Sequence, residues 1–170
     1  MRLEDCFEIS DKGFIEAVRK LPQLEEVNIS KCSNLSKDSL EVLGRSCPLL
    51  KSLKFTREQL YRFILPADDN EAHIIAETMS NLTHLDIKGN RLTDTGLLAI
   101  LDGCPLLESL NIEDCFNLEL NESLKKRCLD QIKDFVLPNL DTSSYYHYGN
   151  NLDFDYEDFC CEYSCDYDFD

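Results

Sequence analysis

An α/β solenoid, with parallel strands on one face and helices on the other, is the fold class this sequence predicts. Three observations predict it. A phrase of the form L-x-x-L/V-x-I/F occurs four times, as LEEVNI from Leu24, LKSLKF from Leu50, LTHLDI from Leu82 and LESLNI from Leu107, at spacings of 26, 32 and 25 residues. Eight residues after the leading leucine stand Cys32, Asn90 and Cys115, with Glu58 as the exception in the second copy. Between phrases lie stretches whose apolar residues recur at helical spacing. This is the leucine-rich-repeat pattern, in which one strand and one helical segment per repeat stack into a curved solenoid. Such a solenoid is a surface for holding another protein and seldom a site of chemistry.

Each element has a local reason. A partial first copy places Leu3, Cys6 and Ile9 in the repeat columns. In the strands, Val27 and Ile29, Leu53 and Phe55, Leu85 and Ile87, and Leu110 and Ile112 point inward, because alternation of period two sends the residues between them to the other face. At the Cys/Asn column the chain turns out of the strand; asparagine can bond the neighbouring backbone, and cysteine fits as a small buried residue. Leu35, Leu92 and Leu118 pack at that corner. Ser10, Ser36 and Thr93 then supply helix caps. Leu40, Leu43 and Cys47, and likewise Leu97, Ile100, Leu101 and Cys104, face the strands. Pro22, Pro48 and Pro105 end the helices. The remaining glycines, Gly44, Gly89, Gly96 and Gly103, are read as serving turns or helix ends.

The second copy is irregular. After Phe55, TREQLYRFILPADDNEA lacks the Cys/Asn corner and is several residues too long. Residues 57–69 read as a protruding loop, either part of the binding face or a solvated insertion. Asp69 or Asn70 then opens the next helix. Toward the C-terminus, 122–135 reads as one closing helix with Leu124, Cys128, Ile132 and Phe135 near one face, a cap over the last repeat. The domain organisation expected is a solenoid of about four and a half repeats plus this capping helix over 1–140, then an Asp/Tyr-rich tail over 141–170. Low aliphatic content and unbalanced charge predict disorder for the tail.

Composition excludes several function classes. The net charge is −16, and residues 141–170 hold nine acidic groups without a Lys or Arg. That balance repels nucleic acid and anionic lipid, both of which are bound through Lys and Arg. The longest apolar run, Leu97–Leu98–Ala99–Ile100–Leu101, is far below a membrane span. Periodic cysteines without a signal-peptide pattern predict buried thiols in a reducing compartment, nucleus or cytoplasm. Cys160, Cys161 and Cys165 lack a second well-spaced ligand pair, so incidental thiols outweigh a zinc site. His73, His84 and His147 have no nucleophile or acid placed with them, and no phosphate-binding glycine loop occurs. Neither an enzyme nor a cofactor is expected.

The CPLLKSLKF and CPLLESLNI phrases from Cys47 and Cys104, with GNRLTDTGLLAILDGCP from Gly89 and ESLKKRCLDQIKDFVLPN from Glu122, resemble plant F-box/LRR-repeat proteins of the Skp-interacting-partner group. The resemblance covers essentially the whole chain. It implies a substrate-recognition portion of an SCF-type ubiquitin ligase, which presents a target protein for ubiquitination. In that family an N-terminal F-box docks on the Skp adaptor. Met1 already lies inside a repeat, so the expectation is a truncated member, a fragment or a gene model missing its first exon. A Skp adaptor is then a partner only if a missing F-box is present in the full product. The alternative is a free-standing leucine-rich-repeat scaffold outside any ligase.

The expected partner surface is the concave sheet face. Its outward positions form three rows: Glu26, Ser52, His84 and Ser109; Asn28, Lys54, Asp86 and Asn111; Ser30, Thr56, Lys88 and Glu113. Such polar, mixed-sign residues are also what a solvated sheet face shows. In the insertion, Tyr61 and Phe63 are the aromatic anchor candidates.

Overall fold

Alternation sets the sheet. The eight inward strand residues, from Val27 to Ile112, are each at most 2% exposed. The computed structural model describes residues 1–57 and 66–138. Its strands are β1 (Arg2–Glu4), β2 (Glu26–Ser30), β3 (Ser52–Thr56), β4 (His84–Asp86), β5 (Ser109–Asn111) and β6 (Asp134–Val136). Between them run α1 (Asp11–Val18), α2 (Lys37–Ser46), α3 (Asn70–Thr78), α4 (Asp94–Gly103) and α5 (Glu122–Gln131). All six strands join one parallel sheet in chain order. Parallel neighbours need a crossover, and one helix per repeat supplies it. Each helix packs on the next, and helices and sheet share one hydrophobic core. This is the α/β leucine-rich-repeat solenoid that the repeats predict.

The C-terminal end departs from expectation. The helix read over 122–135 stops at Gln131, and Asp134–Val136 is a sixth strand. The signal was in the repeat itself. Ile132 stands 25 residues after Leu107 and opens I-K-D-F-V-L, one more copy of the strand phrase. Ile132 is 4% exposed, in the place of a leading leucine. Phe135 pairs with Leu110 across β5 and β6. Helical spacing of Leu124, Cys128, Ile132 and Phe135 masked the change of period from 3.6 to 2.

Caps follow the sequence with one exception. Ser10, Ser36, Thr93 and Asn121 each accept a backbone N–H from the first turn of the helix that follows. Asp69 holds the cap position of α3 but gives its own helix no side-chain bond. Its carboxylate instead takes the Thr93 N–H and hydroxyl, both at 2.7 Å, one repeat further on. Asp11 accepts from Ser36 N and Ser39 Oγ, and Asp94 accepts from Glu119 N and Leu120 N. Aspartates at helix starts therefore fasten one repeat to the next, which a stack stabilised by its neighbours requires.

Burial pushes the Asp11 carboxyl up, but the bonds from Ser39 and Ser36 outweigh it and hold its pKa below the ordinary 3.8. A carboxyl depressed in the folded state stabilises above its unfolded pKa and loses that contribution as pH falls through the folded value. Asp11→Asn is therefore expected to lower the thermal midpoint at neutral pH, with the gap to the natural chain closing below about pH 4. Thermal melts of both proteins across pH 2–7 check this; a gap that does not change with pH would remove Asp11 from the acid response.

Two glycines read as turn residues do other work. Gly44 lies inside α2, where a Cβ would fall 2.0 Å from Thr78 Oγ1. Gly96 lies inside α4, where a Cβ would fall 2.3 Å from Asp69 Oδ1. Close helix packing, not chain reversal, explains them. The cysteines keep their predicted place: Cys32, Cys47, Cys104, Cys115 and Cys128 are buried free thiols, and Cys6 is half-buried. Burial pushes Cys104 and Cys128 up to about 11 and Cys115 up to about 12. Such thiols are protonated at neutral pH and unreactive.

Candidate protein-binding surface

The strand register brings the outward residues together as rows. Glu26, Ser52, His84 and Ser109 are Cα partners across β2 to β5, and Asp134 of β6 extends the row. Asn28, Lys54, Asp86 and Asn111 form the second row, with Arg2 before them and Val136 after. Glu4, Ser30 and Thr56 begin the third. Lys88 and Glu113 follow just beyond the ends of β4 and β5. The sequence reading missed Arg2, Glu4, Asp134 and Val136, because the first copy is partial and the last was taken for helix. Ser30 departs from the outward role: it is 5% exposed, and its hydroxyl donates to Asn28 Oδ1 at 2.6 Å.

Charges on this face are matched in pairs. Lys54 Nζ lies 3.1 Å from Asp86 Oδ2, its neighbour in the row. Lys88 Nζ lies 2.7 Å from Glu113 Oε2 and 3.4 Å from Asp114 Oδ2. The Glu113 bond is the main reason the Lys88 ammonium titrates above its ordinary range. Partly exposed pairs such as these add little stability. They set a fixed pattern of charge along the face. His84 is exposed, with Nδ1 2.8 Å from Thr83 Oγ1. In the middle row, Asp86 Oδ1 accepts from Lys88 N and Asn111 Oδ1 accepts from Glu113 N. These short polar side chains hold the chain as it leaves the strand, the usual work of Asp and Asn in turns. Glu26, Ser52, Lys54, Thr56, His84 and Ser109 are among the residues of the face without that duty.

The irregular second repeat replaces its missing corner with Arg57. Its guanidinium donates to Leu35 O at 3.0 Å and Cys32 O at 3.4 Å, and to Glu71 Oε1 of α3. It also lies 4.4 Å from the centre of the Phe55 ring. Glu71 Oε2 in turn accepts from Asn90 Nδ2, while Asn90 Oδ1 accepts from Leu92 N. Asn90 thus does the backbone bonding that the repeat column predicts, while Arg57 ties the preceding repeat to α3 of its own and Glu71 carries the link on to Asn90. On the far side of the insertion, Arg91 pairs with Asp68 at 3.0 Å and Asp68 N donates back to Arg91 O. Both flanks of the insertion are fastened. A lone arginine before Glu58 carries no signal in sequence, because its partners lie 14 to 25 positions away. Tyr61 and Phe63 lie outside the described residues, as do the tail from 141 and Cys160, Cys161 and Cys165.

Among the described residues, no group of three or more His, Cys, Asp or Glu side chains could hold a metal ion. No described helix is long and apolar enough to cross a membrane.

Stacked strand-and-helix repeats with a polar, hydrogen-bonded sheet face define a leucine-rich-repeat protein. The C-terminal domain of tropomodulin from Caenorhabditis elegans shares this fold, with a TM-score of 0.54 over 81% of this chain and 88% of that one, at 14% identity. No family model matches the chain. In sequence it is 49% identical over 134 residues to F-box/LRR-repeat protein 23 of Arabidopsis thaliana, covering 79% of this chain and 30% of that protein. F-box protein SKIP19 is 46% identical over 139 residues, covering 82% and 44%. F-box/LRR-repeat protein 22 is 42% identical over 146 residues, covering 85% and 46%. The chain belongs to the plant F-box/LRR-repeat proteins. It spans less than half the length of these three relatives.

Proposed function

We propose that this chain is the target-holding portion of a receptor in an SCF-type ubiquitin ligase. The observation that carries the reading is the sheet face itself. Its rows of polar side chains stand in register across six parallel strands, in a chain whose relatives are named F-box/LRR-repeat proteins. A target protein lies along that face and is positioned for ubiquitin transfer by other subunits. Positioning asks for shape and charge complementarity, not for a nucleophile or base. A Skp adaptor joins through an F-box, and the complex works in the nucleus or cytoplasm, where buried free thiols persist.

The test is capture of targets from plant extract by the chain and by a Lys54→Glu, His84→Glu, Asp86→Lys variant. Reversing Lys54 and Asp86 together retains an ion pair with opposite polarity but removes the Asp86 bond to Lys88 N, so the thermal midpoint of the variant is expected to fall modestly and is read beside capture. Capture is expected to fall by roughly tenfold or more, since like charges brought together at an interface cost several kcal/mol. Undiminished capture by the folded variant would exclude this face. Recovery of a Skp adaptor with the full product separates ligase membership from a free-standing scaffold.

A further inference from the structure

Five of the six described cysteines are buried, and the sixth, Cys6, is half-buried. Cys6 and Cys32 occupy the same column of adjacent repeats, 26 residues apart. Their surroundings are copies of each other. β1 and β2 pair in parallel up to Glu4 and Ser30, and Asp5 N donates to Ser30 O at 3.0 Å, carrying the register one residue further. Asp5 and Lys31 then both turn the chain through positive φ, 52° and 55°. Cys6 Sγ donates to Glu4 O, and Cys32 Sγ donates to Ser30 O. The same side-chain conformation therefore repeats one strand spacing apart, about 4.8 Å. That lies within the Cα separation a disulfide spans, roughly 4.4–6.8 Å. Burial pushes the Cys32 thiol above its ordinary range, and the Cys6 backbone N–H pulls the other way, so Cys32 gives up its proton only as it attacks.

Cys47, Cys104 and Cys115 have no cysteine in the same column of an adjoining repeat. Cys115 has Asn90 in the adjoining repeat, and the Cys47 and Cys104 thiols donate to Leu21 O and Met79 O. We infer that Cys6 and Cys32 form a site of reversible oxidative modification, closing to a disulfide with a small peroxide as oxidant.

The reaction balances with hydrogen peroxide as the named co-reactant. The Cys6 thiolate attacks one peroxide oxygen; an S–O bond forms and the O–O bond breaks. Cys6 becomes a sulfenic acid, and the released hydroxide takes a proton to leave as water. The Cys32 thiolate then attacks the Cys6 sulfur. The S–S bond forms as the S–O bond breaks, and the second oxygen leaves as water. Two thiols give up two electrons, peroxide accepts both, and the thiol protons end in the two waters. Cys6 is the entry point because it is the accessible partner; Cys32, at 2% exposure, is met only by its neighbour. The bridge would staple β1 and its turn to the next repeat.

The test treats the folded full chain with hydrogen peroxide, alkylates the remaining thiols after denaturation, and maps the digest by mass spectrometry. The expected product is one cross-linked peptide pair, Cys6 with Cys32, reversed by dithiothreitol and accompanied by a higher thermal midpoint. Cys6→Ser, a change at the accessible partner, should abolish it and return Cys32 in the alkylated form. A second background, Cys160→Ser, Cys161→Ser and Cys165→Ser, removes competing thiols and should keep the cross-link. Oxidation in denaturant should scatter the cross-links among many cysteines. Recovery of Cys6 as sulfinic acid, or joined to another cysteine while Cys32 is alkylated, would overturn the inference.

Discussion

Replacing Phe55 with alanine is expected to cost about 3–5 kcal/mol, the usual range for truncating a buried phenylalanine. Phe55 is 1% exposed and pairs with Ile29 in the register of β2 and β3. Its ring also faces the Arg57 guanidinium at 4.4 Å, an interaction of roughly 0.5–2 kcal/mol when partly desolvated. The truncation therefore opens a cavity in the middle of the stack and loosens the arginine that ties the preceding repeat to α3. Because a solenoid is held by nearest neighbours, a defect in a central repeat weakens the segments on both sides. Urea unfolding followed by circular dichroism reads the effect. The midpoint should fall steeply, and a reduced slope would report that the two sides now unfold separately. Phe55→Leu should recover much of the loss. A loss under about 1 kcal/mol would mean that the site collapses around the missing ring.

Gly89→Ala is expected to destabilise by about 2–5 kcal/mol, from two terms that add. Gly89 sits at φ 74°, where an L side chain costs roughly 1–2 kcal/mol. A Cβ there would also fall 2.2 Å from Arg57 O, and backbone cannot swing aside as a side chain can. Overpacking of this kind costs about 1–3 kcal/mol. Gly13→Ala is the control. A Cβ at Gly13, on the exposed side of α1, meets only Ser10 Oγ at 3.7 Å, so alanine should stabilise by up to about 1 kcal/mol. Thermal melts of the two variants should move in opposite directions; parallel shifts would mean that the close approach at Arg57 carries no weight.

These expectations differ in how far they were legible beforehand. Phe55 was readable as core because it stands in the inward column of a repeat with three sister copies. The rows of the sheet face were readable for the same reason: once the copies are in register, Ser52, His84 and Ser109 must be neighbours. Asp134 was readable only through the repeat step, since Leu124, Cys128, Ile132 and Phe135 satisfy a helical period as well as the strand phrase does. Two periods competed over the same four residues, and the 25-residue repeat step is what decides between them. Arg57 left no trace in the pattern. A single polar side chain with partners in the preceding repeat and in α3 is specified by distance in space, and no periodicity encodes that.

The repeat phrase alone carries the order of β2 to β5 and of the helices between them, the direction of the core side chains in those strands and the membership of the rows across them. It can do so because each repeat solves the same local problem with the same residues, so one alignment describes all of them. The irregular features needed the folded chain. Ser30 faces outward by alternation yet is buried, because its hydroxyl turns onto Asn28. Asp69 stands at a helix cap yet serves the next repeat through Thr93. Gly44 and Gly96 look like breaks and are contact points between helices. In each case the deciding partner belongs to another part of the stack, and a period describes what recurs along the chain rather than what meets across it.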